Sequence, residues 1–199
     1  MLRSCALGMV VALVACVPLA DATTSPTPQD DDFAFLQIGV LAERVTTKLY
    51  DRALERHWSL ADRRALLDLK FSTMRQDGAL TAAMGADAPA ADDFTFVLPK
   101  GSVSGKAAVQ AAARRLERLT ISVYEAGAEE GTDPATRRLL AELAAQDAQH
   151  LSSLSIMAGG PPLTRLPGAL GAERAGAILD PYLRTPDAPD VPQDEGTSR

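Results

Sequence analysis

The sequence predicts an all-α protein: a four-helix bundle made of two repeated helical hairpins, with a long crossover and a short C-terminal helix. Hydrophobic residues make up 46% of the chain and aromatic residues only 5%. In four long stretches the apolar residues recur at steps of three and four, which is the period of one helix face. A third observation is that polar residues repeat at equal spacing in the two halves. The length of 199 residues fits one domain with appendages.

The N-terminal residues have the character of an export signal. Residues 1–15 combine Arg3 with an apolar run that is too short to span a bilayer comfortably. Residues 13–16 (LVAC) resemble a bacterial lipobox, which predicts lipidation of Cys16. The alternative is ordinary signal-peptide cleavage after residues 20–22. We therefore expect a protein that is lipid-anchored to the outer face of the cytoplasmic membrane, or else secreted.

Composition divides the remaining chain into four parts. Residues 16–31 are polar and contain proline, which is typical of a flexible tether. The bundle is predicted over 32–158, and a C-terminal extension over 159–184 with a short helix within 170–183. Residues 185–199 are rich in proline and aspartate, a composition that favours disorder.

The first hairpin is marked by helix-end signals. Asp30–Asp32 are predicted to cap the first helix, which runs to about Arg56. Ser59 and Asp62 have the spacing of a capping box and predict the start of the second helix. Gly85 is a favourable residue just past the end of that helix.

The second hairpin follows the longest connection. Residues 86–103 are long enough to run back along a whole bundle, so they are predicted to form a crossover. The third helix is predicted from near Ser104 to about Glu129. Pro134 is suited to the first position of the fourth helix, which ends near Met157 before two glycines.

The two hairpins share one arrangement of polar residues. The matched pairs, at identical spacings in the two halves, are Glu43 and Glu117, Tyr50 and Tyr124, Thr73 and Asp147, and Gln76 and His150. Equal spacing places each glutamate at the depth of its partners on the next helix. The six residues other than the tyrosines are therefore predicted to form one polar layer in the middle of the bundle.

The fourth helix carries the strongest chemical signal. Asp147 and His150 lie on the same stripe as Leu143 and Leu154, so they face the core. An Asp-x-x-His pair places a carboxylate and an imidazole one turn apart on one face, which is the spacing of metal ligands. The alternative is a helix pair that is satisfied by hydrogen bonds alone.

The whole pattern resembles the ferritin-like superfamily, and is most similar to the secreted ferritin-like family that includes bacterial desiccation-related proteins. The similarity covers about residues 33–157, and it includes the Glu-to-Tyr spacing, the Phe-Thr-Phe at 94–96 and the Leu-Glu at 116–117. The family pattern has one Glu on the first and third helices and Glu-x-x-His on the other two. The resemblance implies that four residues ligate metal and three support them. The ligands are Glu43, Glu117, Asp147 and His150, and the supporting residues are Gln76, Tyr50 and Tyr124.

The second helix departs from the family pattern. Thr73 and Gln76 stand where the resemblance requires Glu and His, and neither is a strong metal ligand. Ferroxidase chemistry needs two metals a few ångströms apart, so the departure argues against it. The sequence leaves two alternatives open: one Fe, Mn or Zn ion in a protective or redox role, or a metal-free scaffold held by hydrogen bonds.

Other motifs in the sequence give weaker evidence for a functional site or a partner. Gly101–Lys106 has too few residues for a phosphate loop and is interpreted as a helix N-terminus. His57 is expected at the surface of a turn, and Trp58 is expected to pack on the second helix. A net charge of −6 without a basic stripe argues against nucleic acid. The membrane is the expected partner through Cys16, and a homo-oligomer is left open.

Overall fold

The computed structural model describes residues 30–184, and this part of the chain is mostly helical. The helices are α1 (Asp30–Leu54), α2 (Leu60–Met84), α3 (Lys106–Glu130), α4 (Pro134–Met157) and α5 (Ala172–Leu179). Two short strands, β1 (Thr95–Phe96) and β2 (Leu183–Arg184), pair antiparallel. The prediction of an all-α protein is confirmed.

The predicted helix ends agree with the structure to within a few residues. Ser59 caps α2 by accepting a hydrogen bond from the Asp62 amide, and Gly85 follows the helix with a φ of 64°. The first helix ends at Leu54 rather than near Arg56. Near this end the Trp58 indole donates a hydrogen bond to the Ala53 carbonyl at 2.7 Å. This bond uses one of the carbonyls left free at the helix end.

The start of α1 differs from the prediction. Asp30 and Asp31 already belong to the first turn rather than to a tether or a cap, and their charges favour the helix dipole there. Asp32 is fully buried and accepts hydrogen bonds from the amides of Thr132 and Asp133. It therefore holds the connection between α3 and α4, a hundred residues away in the chain.

Long-range contacts fix the directions of the first three helices. Arg44 pairs with Asp77 and Lys70 with Asp51, so α1 and α2 are antiparallel. Tyr50 bonds Glu117, and Tyr124 bonds Glu43, so α1 and α3 are antiparallel as well. Helices α2 and α3 therefore run parallel, and residues 88–105 must return along the length of the bundle, as the sequence predicts for a crossover.

The C-terminal extension closes over that crossover. Phe96 of β1 pairs with Leu183 of β2, and the Val97 amide donates to the Tyr182 carbonyl at 2.8 Å. On α5, Ala175 and Leu179 are fully buried against α1 and α3. The extension therefore belongs to the same folded body as the four long helices.

The core consists of two apolar clusters. One lies towards the N-terminal half of α1 and includes Leu36, Val40 and Leu140. The other lies towards its C-terminal half and includes Leu49 and Leu66. Each of the four long helices passes from one cluster to the other, and polar residues occupy the level between them.

Within residues 30–184 no helix is sufficiently long and apolar to cross a membrane. The predicted export signal, the predicted lipidation of Cys16, residues 16–29 of the predicted tether and the predicted C-terminal disorder at 185–199 lie outside the described residues.

Candidate metal centre

A layer of six buried polar side chains separates the two apolar clusters. Four helices contribute to it, and His150, at 8%, is its most exposed member. The members are Glu43 on α1, Thr73 and Gln76 on α2, Glu117 on α3, and Asp147 and His150 on α4. The structure thus brings together the six residues that the repeated spacing places at one depth.

Two tyrosines connect the glutamates crosswise between the hairpins. The Tyr50 hydroxyl on α1 donates to Glu117 Oε1 on α3 at 2.9 Å. The Tyr124 hydroxyl on α3 donates to Glu43 Oε1 on α1 at 2.6 Å. Both tyrosines are fully buried, so each supplies a donor that water cannot. The Glu–Tyr spacing is visible in the sequence, but the sequence does not show that each tyrosine donates a hydrogen bond to the glutamate of the other hairpin.

The α2 and α4 side of the layer is less completely bonded. Gln76 Nε2 donates to Asp147 Oδ1. Four other buried polar atoms of the layer have no hydrogen-bond partner: Thr73 Oγ1, Gln76 Oε1, Asp147 Oδ2 and His150 Nδ1. Leaving buried donors or acceptors unpaired costs about 1–3 kcal/mol each. The layer is therefore incomplete with protein atoms alone.

Three of the side chains converge closely enough to hold an ion. Glu117, Asp147 and His150 each offer one ligand atom, and these atoms lie within 4.8 Å of one another. His150 Nδ1 is 3.4 Å from both Glu117 Oε2 and Asp147 Oδ1, without the geometry of a hydrogen bond to either. Nitrogen and oxygen ligands about 2.0–2.2 Å from one ion have separations of this order. The orphaned His150 Nδ1 and Asp147 Oδ2 and the mixed donor set both fit a first-row divalent metal.

The electrostatics of the layer also favour a cation. Burial and then the charges of Asp147 and Glu117 raise the pKa of Glu43 well above its ordinary value. Burial and the charge of Asp147 raise the pKa of Glu117. Burial acts to lower the pKa of His150, but the adjacent Asp147 and Glu117 outweigh it and raise this pKa to about 10. The packed carboxyl groups therefore retain protons or attract a positive charge, which the protonated His150 supplies at neutral pH; a metal ion that binds His150 would have to displace this proton.

The remaining predicted residues take different places. Glu43 shares the layer and bonds Tyr124, but it is not among the three residues whose ligand atoms converge. Thr73 and Gln76 are fully buried at the level where a second set of anionic ligands would be needed. His57 is exposed at a turn. Gly101–Lys106 leads into the first turn of α3, and Trp58 is partly buried against the second apolar cluster.

Comparison with family models and with curated proteins found no match.

Proposed function

We propose that this chain is an envelope-anchored, ferritin-like protein that binds one divalent metal ion in the polar layer. Glu117, Asp147 and His150 would be the main ligands, and Glu43, whose Oε1 accepts a hydrogen bond from Tyr124, would be the fourth ligand. The observation that carries the proposal is the convergence of three ligand atoms within 4.8 Å beside unpartnered buried atoms. The crosswise Tyr–Glu bonds support descent of both hairpins from one repeated unit.

The class of chemistry follows from the ligand set. A site of three carboxylates and one imidazole suits Fe, Mn or Zn, and its burial keeps bulk water from the ion. A second ion would need anionic ligands from α2, where Thr73 and Gln76 are neutral. We therefore propose sequestration of a single ion in a protective or redox role, rather than ferroxidase chemistry.

The location completes the proposal. Cys16 would carry a lipid, and residues 16–29 would connect that anchor to α1. The folded body would then lie outside the cytoplasm, where it meets metal ions from the surroundings.

The metal proposal is tested by loading the purified full-length chain with Fe(II), Mn(II) or Zn(II) and measuring retained metal after dialysis. We expect about one ion per chain, as the single ligand group predicts. Glu117→Gln and His150→Gln should each weaken binding by at least about tenfold. Glu142→Gln removes an exposed carboxylate from the same helix as His150, and it should leave binding unchanged. Equal retention by all variants would contradict the proposal.

A metal-free scaffold is the second candidate, and the Tyr–Glu and Gln–Asp bonds favour it. In that case the layer would fix the register of the helices through hydrogen bonds. No retained metal, together with loss of stability alone in His150→Gln, would select this function.

A further inference from the structure

A second candidate site lies on the outer surface of α3 and α4, away from the polar layer. The segment that follows α4 folds back across these helices and encloses a cleft of about 410 Å³. The Leu163 amide donates to Ser152 Oγ at 3.1 Å, and the Leu170 amide donates to the Ser122 carbonyl at 2.8 Å. Both ends of the segment are thus tied to the long helices, so the cleft is a built feature of the fold.

Three arginines line this cleft. Arg114 and Arg118 lie one turn apart on α3, and Arg165 belongs to the covering segment. None of the three forms an ion pair within the part of the chain that the structure describes. Arg114 Nε donates to the Gln110 carbonyl, which leaves its terminal nitrogens available.

The lack of ion pairs contrasts with basic residues outside the cleft. There Arg44, Lys70 and Lys106 each pair with an aspartate. No acidic residue lines the cleft, although the chain as a whole carries a net charge of −6. A concentration of unpaired positive charge in a concave site attracts anions.

The remaining lining indicates what kind of anion would fit. Leu151, Leu163 and Pro167 supply apolar walls beside the guanidinium groups. A volume of about 410 Å³ exceeds what a bare inorganic anion fills and lies in the usual range of small-molecule pockets. Guanidinium groups bind phosphate through paired hydrogen bonds, and several of them match a doubly charged group.

We infer that this cleft binds a phosphate monoester joined to a small organic body, with Arg118 and Arg165 holding the phosphate from opposite walls. The same chemistry occurs in a soluble sugar or glycerol phosphate and in the headgroup of phosphatidic acid. The site is independent of the metal layer, so its test is made on protein treated with a chelator.

The experiment measures binding of glycerol 3-phosphate to the full-length chain by calorimetry and, in a second arm, binding to vesicles of phosphatidylcholine with and without phosphatidic acid. We expect saturable binding in at least one arm, weakened by at least about tenfold in the Arg118→Gln/Arg165→Gln double variant. Arg115→Gln/Arg138→Gln is the matched control, because it removes two exposed charges from α3 and α4 outside the cleft and should keep the affinity.

The two arms identify the source of the phosphate. Binding of glycerol 3-phosphate assigns the cleft to a soluble ligand, and binding of phosphatidic acid vesicles alone assigns it to a lipid headgroup. Absence of binding in both arms up to about 10 mM phosphate would overturn the inference. Equal losses in the matched control and in Arg118→Gln/Arg165→Gln would also overturn it, since binding would then follow overall charge.

Discussion

At the scale of residues, the side chains of the polar layer differ in whether their polar atoms have hydrogen-bond partners. Tyr50 and Tyr124 each satisfy one carboxyl oxygen, whereas Asp147 and His150 retain unpartnered atoms. The glutamates of α1 and α3 therefore each have a tyrosine donor, whereas the α2 and α4 side of the layer carries the unpartnered atoms and is open to a further ligand. Sequence spacing predicts membership of the layer, but not this division, which depends on side-chain positions across the bundle.

The two tyrosines should respond differently to removal of the hydroxyl group. Tyr124→Phe leaves Glu43 Oε1 without its donor, and we expect a loss of about 1–3 kcal/mol in the free energy of unfolding. Tyr50→Phe should cost a similar amount and should change metal affinity more than Tyr124→Phe does, because its acceptor Glu117 is one of the three residues whose ligand atoms converge and Glu43 is not. Denaturant titration and metal titration of both variants measure these effects. Unchanged stability in both would contradict the role given to the bonds.

At the scale of elements, local signals in the sequence locate helix ends well. Ser59, Gly85 and Pro134 are found where capping preferences place them. The burial of Asp32 under the α3–α4 connection could not be predicted in this way, because its partners are distant in sequence. The pairing of β1 with β2 is not predicted either, because a strand of two residues gives no periodic signal.

The cap of α4 gives a pH-dependent prediction. Asp133 accepts hydrogen bonds from the amide and hydroxyl of Thr136, and these bonds lower the pKa of its carboxyl group. Because the pKa of Asp133 is lowered by folding, the cap stabilises the fold at pH values above 3.8, the ordinary pKa of this carboxyl group. The stabilisation is lost as the pH falls through the lowered pKa. Asp133→Ala should therefore cost about 1 kcal/mol at neutral pH and less in acid. Denaturant titrations of both proteins at several pH values measure the difference; a cost independent of pH would contradict the prediction.

Close packing of α3 against its neighbours gives a second prediction for this scale. A Cβ atom on Gly127 would lie 2.4 Å from Leu140 Cδ1 and 3.0 Å from Phe35 Cβ. Gly127→Ala should therefore destabilise the protein by about 1–3 kcal/mol through overpacking. The matched control is Gly78→Ala on α2, where nothing lies within 4 Å and the substitution should stabilise by about 0.5–1 kcal/mol. Thermal unfolding compares them, and a neutral Gly127→Ala would refute the close approach.

At the scale of the whole molecule, the fold joins four long helices and a C-terminal extension into one body. Hydrophobic periodicity predicts the helices, and the length of residues 86–103 predicts the crossover. Neither predicts the cleft beneath residues 161–167. From the sequence alone we would expect solvated surface charges at Arg114, Arg118 and Arg165. Only the position of the segment after α4 beside α3 brings them into one cleft.

The contribution of the extension to the core can be measured directly. Leu179 of α5 is fully buried, so Leu179→Ala should lower the free energy of unfolding by about 2–5 kcal/mol. Its neighbour Ile178 is 41% exposed, and Ile178→Ala should have a much smaller effect. Two-state denaturation of the two variants tests this, and equal effects would show that α5 does not share the core.

Whether the polar layer holds a single metal ion can be measured by X-ray absorption spectroscopy of the Zn(II)- or Fe(II)-loaded chain. We expect one imidazole nitrogen and carboxylate oxygens at about 2.0–2.2 Å from the metal, with no second metal at about 3.5–4 Å. His150→Gln should remove the imidazole contribution. A second metal at that distance, or a shell of water oxygens without imidazole, would show that the layer does not hold one ion through His150.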